Sequence, residues 1–334
     1  MRLISAFIIT LFLSACGRTD IPLVDDRARL LSTAQIQRLE QYHKLLLADH
    51  DIDYRIITAR NTGDINLYAN NHYREMGVGS SSGSGKGLLL VIDPEEDKVR
   101  LEVSMGLEGV YVDAMVSYLE RQQMQPFFRS GRIADGILAT TELLITRAQH
   151  AELGGGFQGE PWHSGSAGAG ATGEAAIGKG YNASSNDQPD VLPGSTPAET
   201  VSAYLRAMQA HNFRPDLMIY TEATRRMLAN WVVTPAQADN LLRTQGECSA
   251  ETTRISPDKR YAVIRFPVGK RQCSPWFLQY EAGAWRLDLY SMQQTIQFGR
   301  SNAWHFTPDY QHPYRFAFSD WQFDNNGYPL LPPR

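Results

Sequence analysis

The chain has 334 residues, 43% apolar and 20% charged, which excludes a disordered, collagenous or coiled-coil protein and gives length enough for two cores. Its net charge of −4 supplies no basic field for a run of phosphates, so nucleic acid is excluded as a main partner. Beyond the amino-terminal leader no stretch is long and apolar enough to be expected to cross a bilayer.

Arg2 precedes an apolar run from Leu3 to Leu13, too short to span a membrane and matched to the hydrophobic region of a secretion signal. The run ends in Leu13-Ser14-Ala15-Cys16, which resembles the bacterial lipoprotein signal. The resemblance implies that residues 1–15 are a signal peptide removed on export, that Cys16 carries acyl chains such as palmitate, and that 16–23 is a lipidated tether. The alternative is an ordinary signal peptide that happens to contain a cysteine. Each buried methylene contributes roughly 0.8 kcal/mol, so two or three acyl chains bind the membrane essentially permanently. Gly17 after the cysteine resembles an outer-membrane sorting signal of Gram-negative bacteria, so the expected location is the cell envelope, at the outer membrane facing the periplasm. The segment from Gly17 to Leu23 reaches at most about 25 Å, which keeps the first module close to the lipid.

Residues 24–149 read as alternating helix and strand. Ser32 and Gln35 form a capping box, and Ile36, Leu39, Tyr42 and Leu46 follow at helical spacing. A strand is predicted over 54–58. Asp64 caps a second helix, a Ser/Gly loop runs from Gly77 to Gly87, and Leu88–Ile92 is a continuous apolar run typical of a buried central strand. Val99–Val103 is predicted to pair with it. Helices over about 111–124 and 133–148 complete an α/β arrangement.

Several motifs then occur in order: Val24-Asp25-Asp26, Ile65-x-x-Tyr68-Ala69, Gly77-Val78-Gly79, Gly87-Leu88-Leu89-Leu90, Gly106-Leu107-Glu108-Gly109-Val110-x-x-Asp113 and Met124-x-Pro126-x-Phe128-Arg129-x-Gly131. Together they resemble the TPM-domain family. The resemblance implies an α/β/α sandwich on the outer face of a membrane, as in photosystem-repair, receptor-accessory and many bacterial envelope proteins. Some members bind calcium, and a metal-dependent phosphatase activity has been proposed for part of the family.

The matched acidic positions are Asp26 and Asp113, with Asp25 and Glu108 beside them. Carboxylates on loops suit calcium, a hard cation that takes six to eight oxygens. However, many relatives carry Asp-Asn-Gly before the central strand, where this chain has Gly85-Lys86-Gly87. An ammonium replaces a potential ligand, and Lys86 could occupy the cation's place and pair with Asp26 or Asp113. Three readings stay open: structural or Lys-paired acids, a calcium site, and a catalytic site. Ser104-Met105 also departs from the Gly-Tyr that relatives tend to carry. Gly79-Ser80-Ser81-Ser82-Gly83 fits a nucleophile-elbow spacing, yet helix precedes it and strand follows, the reverse of what that motif needs. His43 and His50 lack zinc spacing and are expected on a solvated helix face.

Residues 150–195 are read as a linker. Twenty-six of the 46 residues 151–196 are Gly, Ala, Ser or Pro, and as a coil they would span about 35–40 Å. Residues 196–334 form the second module. Thr196-Pro197-Ala198-Glu199 and Thr234-Pro235-Ala236-Gln237 each open a helix, and a further helix is predicted over about 215–228. Strands follow over 248–255, 261–266, 273–280 and 285–290. Three helices followed by an antiparallel sheet make an α+β domain with a resemblance to the nuclear-transport-factor-2-like cone, a shape able to hold a small ligand.

Cys248 and Cys273 remain beside Cys16, and export makes a disulfide between them the simplest reading. If both open their strands, they sit one strand apart, and bridging needs the middle strand to end early. Tyr314, Phe316 and Phe318 alternate before Trp321 and Phe323. That pattern predicts a final strand closing the second core or, alternatively, an aromatic surface for a partner or a glycan. The leading expectation is an envelope lipoprotein, held by its acyl chains, that docks on a membrane protein or complex. The alternatives are a metal-dependent phosphatase using Asp26 and Asp113 and a small-ligand sensor in the second domain.

Overall fold

The computed structural model describes residues 22–152, 170–174, 188–299, 303–307 and 311–331. The expected signal peptide, Cys16 and most of the tether lie outside the described residues. In the first module, β1 (Val24–Asp26), β2 (Asp53–Thr58), β3 (Gly87–Asp93), β4 (Lys98–Val103) and β5 (Gly170–Glu174) form one sheet in that order. The first three strands are parallel, and β4 and β5 run antiparallel. The helices are α1 (Thr33–His50), α2 (Ile65–Glu75), α3 (Asp113–Tyr118), α4 (Gln125–Arg129) and α5 (Ile133–Glu152).

The apolar run of β3 is buried on both faces. Leu88, Leu90 and Ile92 join Leu39 and Leu46 of α1 and Ile137 and Leu144 of α5. Leu89 and Val91 join Ile65 and Ala69 of α2. Each such side chain contributes about 1.5–3 kcal/mol of transfer free energy, which makes β3 the axis of an α/β/α sandwich. The capping box of Ser32 and Gln35 forms as predicted. The helix expected over 111–124 instead divides into α3 and a π-helical turn, Leu119–Met124. The widened turn ends just before Pro126, whose ring lacks an N–H and would crowd the carbonyl one turn back in a regular helix. Part of the Gly/Ala/Ser-rich segment read as a linker supplies β5, paired with β4 from Lys98 to Glu102.

In the second module α6 (Pro197–Gln209), α7 (Glu222–Leu228) and α8 (Pro235–Gly246) precede the antiparallel sheet β6 (Thr252–Ile255), β7 (Tyr261–Arg265), β8 (Trp276–Glu281) and β9 (Ala284–Leu287). This is the expected α+β domain. The helix predicted over 215–228 begins only at Glu222, because the residues before it run alongside β9, where Leu287 donates to the Ile219 carbonyl at 2.7 Å. Past Asp288, α9 (Leu289–Thr295), β10 (Ile296–Phe298) and β11 (Trp304–Phe306) replace the tail of the predicted fourth strand. Ala262, Ile264, Leu278 and Leu287 face the helices. Val263 and Phe277 on the other face are covered by Trp304, Tyr314 and Phe318. The aromatic tail thus closes the core, but Pro313–Phe318 is a 3₁₀ helix rather than a strand, with Tyr314, Ala317 and Phe318 inward at helical spacing.

The two modules touch along the π-helical turn. Thr234, the cap of α8, bonds to the buried Gln123 side chain, and Tyr118 donates to Asp239. Arg132 donates to the Asn230 carbonyl at 2.6 Å and lies over the Trp231 ring. Val232 is buried in the core of the first module.

Cys248 and Cys273 form a disulfide with Cα atoms 5.7 Å apart. Both lie outside the strands, Cys248 just beyond α8 and Cys273 in the loop before β8, so the spacing of alternate strands imposes no obstacle. Closing this loop stabilises the fold by about 3 kcal/mol, mainly through the unfolded chain. Replacing both cysteines with serine should lower the urea midpoint correspondingly, and an unchanged midpoint would contradict this role.

Candidate functional site

The sheet register decides which acids can meet. Asp26 ends β1 level with Thr58, which is level with Ile92 near the end of β3. Lys86 precedes Gly87 at the opposite end, level with Asp53, while Glu108 follows the end of β4, whose Val103 pairs with Leu88. Five residues of strand separate the two ends, about 17 Å. Asp25 and Asp26 therefore do not share a site with Glu108 and Lys86. Asp113 opens α3 five residues beyond Glu108 and is exposed, as is Glu108. Lys86 lies over Gly106, its Cγ 3.6 Å from where a Cβ would stand there. That places it among the residues beyond β4 and too far away to pair with Asp26.

Asp26 is engaged by its own loop. Its Oδ1 accepts from the Leu30 amide at 2.9 Å and from the Thr58 hydroxyl, and its Oδ2 accepts from the Leu31 amide at 2.9 Å. Asp25 pairs with Arg27 at 2.7 Å. Arg27 in turn donates to the Tyr68 hydroxyl at 3.0 Å and sits 3.1 Å from Nε2 of His72, which stacks on Tyr68. Asp93, at the end of β3, accepts from the amides of Thr62, Glu95 and Glu96. Burial opposes its ionisation, and those amides outweigh burial and hold its pKa below the usual carboxylate range.

The other end of the sheet repeats the device. Asp53 is fully buried, accepts from the Gly79 and Ser81 amides and pairs with Arg55 at 2.9 Å. Burial raises its pKa, but Arg55 and the amides leave it lowered. Asp51 accepts from Gly83, Ser84 and the Ser84 hydroxyl, and its pKa falls to about 2 through the Ser84 hydroxyl first and the Gly83 amide next. The Ser/Gly loop is thus tied down by two aspartates that sequence patterns did not single out, and Ser81 is one of its tied positions. His43 and His50, expected in solvent, are buried. They continue the inward stripe of Leu39 and Leu46 along α1, where Nδ1 of His43 donates to the Tyr54 carbonyl at 2.7 Å and Nδ1 of His50 meets Glu152 at 2.8 Å.

Calcium binding to Asp25, Asp26, Glu108 and Asp113 requires these acids to converge, and the register sets Asp25 and Asp26 at the opposite end of the sheet from the loop that carries Glu108. Among the described residues no three His, Cys, Asp or Glu side chains are placed to hold a metal ion. The donor set does not fit a cation that needs six to eight oxygens.

Glu120, in the π-helical turn, carries the most perturbed acid of the first module. It is 2% exposed, and its Oε1 has no hydrogen-bond partner among the described residues. Burial pushes its pKa up to about 8, against the opposing pull of Arg100 and the Leu101 amide. A raised acid pKa means that the folded chain holds a proton the unfolded chain has released, so stability falls as pH rises from about 4.5 to 8. Glu120→Gln should flatten the thermal midpoint across pH 5 to 8 while wild type declines. Parallel profiles would show that Glu120 is already ionised in the folded state.

Residues 24–147 match the TPM domain. Among solved structures, the solution NMR structure of the N-terminal domain of a P. gingivalis protein, a structural-genomics target, is similar at 28% identity, covering 42% of this chain and 90% of that one with a TM-score of 0.36. No curated protein matches the chain. The ordered motifs from Val24 to Gly131 fall within the matched residues, and residues 24–147 are a TPM domain.

Proposed function

We propose that the chain is a lipid-anchored envelope protein that acts as an accessory or docking factor for a membrane protein complex. The observation that carries this reading is the arrangement of the acids. Asp26 and Asp53, near the two ends of the TPM sheet, accept bonds from their own loops, and Asp25 and Asp26 stand at the opposite end of β2 and β3 from the loop that carries Glu108. A binding role needs only a stable surface, which this bracing provides. The most exposed large apolar side chain among the described residues, Met105 at 85%, lies beside Gly106-Leu107-Glu108 in the loop after β4. That loop is the first candidate contact. Among the described residues no helix is long and apolar enough to cross a membrane. The support for attachment through Cys16 is the Leu13-Ser14-Ala15-Cys16 pattern that ends the apolar leader.

Cys16→Ser in the native host should move the protein from the membrane fraction to the soluble fraction. The purified wild-type protein should hydrolyse p-nitrophenyl phosphate no faster than Asp113→Asn, with or without added calcium or magnesium. Retention of Cys16→Ser in the membrane would refute the anchor. Metal-dependent hydrolysis lost in Asp113→Asn would replace docking with the phosphatase reading.

A further inference from the structure

The aromatic tail does more than close the second core. Beneath it Trp304, Tyr314 and Phe318 are buried against Val263 and Phe277, and Phe306, Trp321 and Phe323 pack on them from outside. Phe306, Trp321 and Phe323 remain half-buried, and they line a cavity of about 460 Å³ whose rim carries Arg315, Asp324 and Asn325. The volume falls within the range of about 300–1,000 Å³ that small-ligand sites occupy.

The walls are braced from behind. Phe306 packs edge-on against buried Phe318 with ring centres 5.0 Å apart and lies 5.3 Å from Phe323. The Arg265 guanidinium sits 4.9 Å from the centre of the Trp321 ring and is itself held by both oxygens of Asp320 at 2.6 Å. Gly327 has a φ of +85° and lies so close to Phe306 that any side chain there would strike the Phe306 carbonyl. The Phe306 amide donates to the Gly327 carbonyl at 3.0 Å, which fixes the rim loop to β11. Oδ1 of Asp324 accepts from the amides of Asn326 and Tyr328 at 2.9 Å, orienting the carboxylate. The site is therefore formed before any ligand arrives.

We propose that this cavity binds a neutral saccharide, one or two pyranose rings in size. A pyranose offers an apolar C–H face and an edge of hydroxyls that each donate and accept. The half-open faces of Trp321, Phe306 and Phe323 suit the first, and the planar amide, guanidinium and carboxylate of Asn325, Arg315 and Asp324 suit the second. The rim carries one cation and one anion, so it offers no net charge to select a phosphate or a carboxylate ligand. His312 adds an aromatic wall, 5.1 Å from Phe306 and stacked on Phe277. Burial first, and the Arg315 charge second, lower its pKa to about 4, which leaves it neutral near pH 7. This site lies in the second module and does not depend on the anchor or on the TPM domain.

Saturation-transfer NMR on the full exported chain tests the proposal, with glucose, N-acetylglucosamine, maltose and chitobiose as probes and glucosamine 6-phosphate as the charged control. Transfer to at least one neutral sugar is expected, and Asn325→Ala and Arg315→Ala should each weaken its binding about tenfold, the effect of losing one or two hydrogen bonds. Both positions are exposed, so unchanged thermal midpoints would separate lost binding from lost folding. Phe323→Ala should abolish transfer. The proposal is overturned if no neutral sugar shows transfer, if glucosamine 6-phosphate binds best, or if both rim variants bind as wild type does.

Discussion

Carboxylates that accept main-chain N–H groups hold the loops of the TPM domain in place, and the functional reading rests on that interaction. Asp26, Asp51, Asp53 and Asp93 each take at least two amides. Bonds of this kind are charge-assisted and about twice as strong as neutral ones. An oxygen aimed at its own backbone is not presented to a ligand, so the same contacts that stiffen the sheet ends remove their acids from any common centre. Asp53 shows the balance most sharply, because its burial is tolerated only with Arg55 and two amides around it, and removing one member of such a pair typically costs about 3–5 kcal/mol.

Local signals made much of the fold legible. The capping boxes at Ser32, Thr196 and Thr234 formed as read, because each depends on residues three apart and on nothing distant. The apolar run of β3 announced a strand buried on both faces. What escaped was set by partners remote in sequence. Three-residue β1 is a strand only because β2 lies beside it. The 215–221 segment looks helical alone but is drawn along β9. Tyr314, Phe316 and Phe318 alternate like a strand, yet Pro313 starts a 3₁₀ turn that buries a different set.

The acidic positions show a different limit. Sequence order places Glu108 and Asp113 near each other and Asp25 beside Asp26, but only the register of β1 to β4 reveals that Asp25 and Asp26 lie at the opposite end of the sheet from the loop that carries Glu108. Asp51 and Asp53 carry no motif and would have been found only by asking where the amides of a long Ser/Gly loop bond. Likewise the contact between modules, with Thr234 capping α8 while bonding Gln123, joins two residues 111 apart that no local pattern connects. It gives the π-helical turn, which contains the buried Glu120, a place in the junction between the modules.

If Asp26, Asp51, Asp53 and Asp93 serve their own backbone, they offer added calcium no common centre, and calcium should leave the stability of the fold unchanged. Thermal unfolding of the purified protein in excess EDTA and in excess calcium measures this directly, since a cation at 100 times its dissociation constant adds about 2.7 kcal/mol. Coincident midpoints are the predicted result. A calcium-dependent rise that disappears in Asp26→Asn or Asp113→Asn would contradict the account and restore a metal centre to the domain.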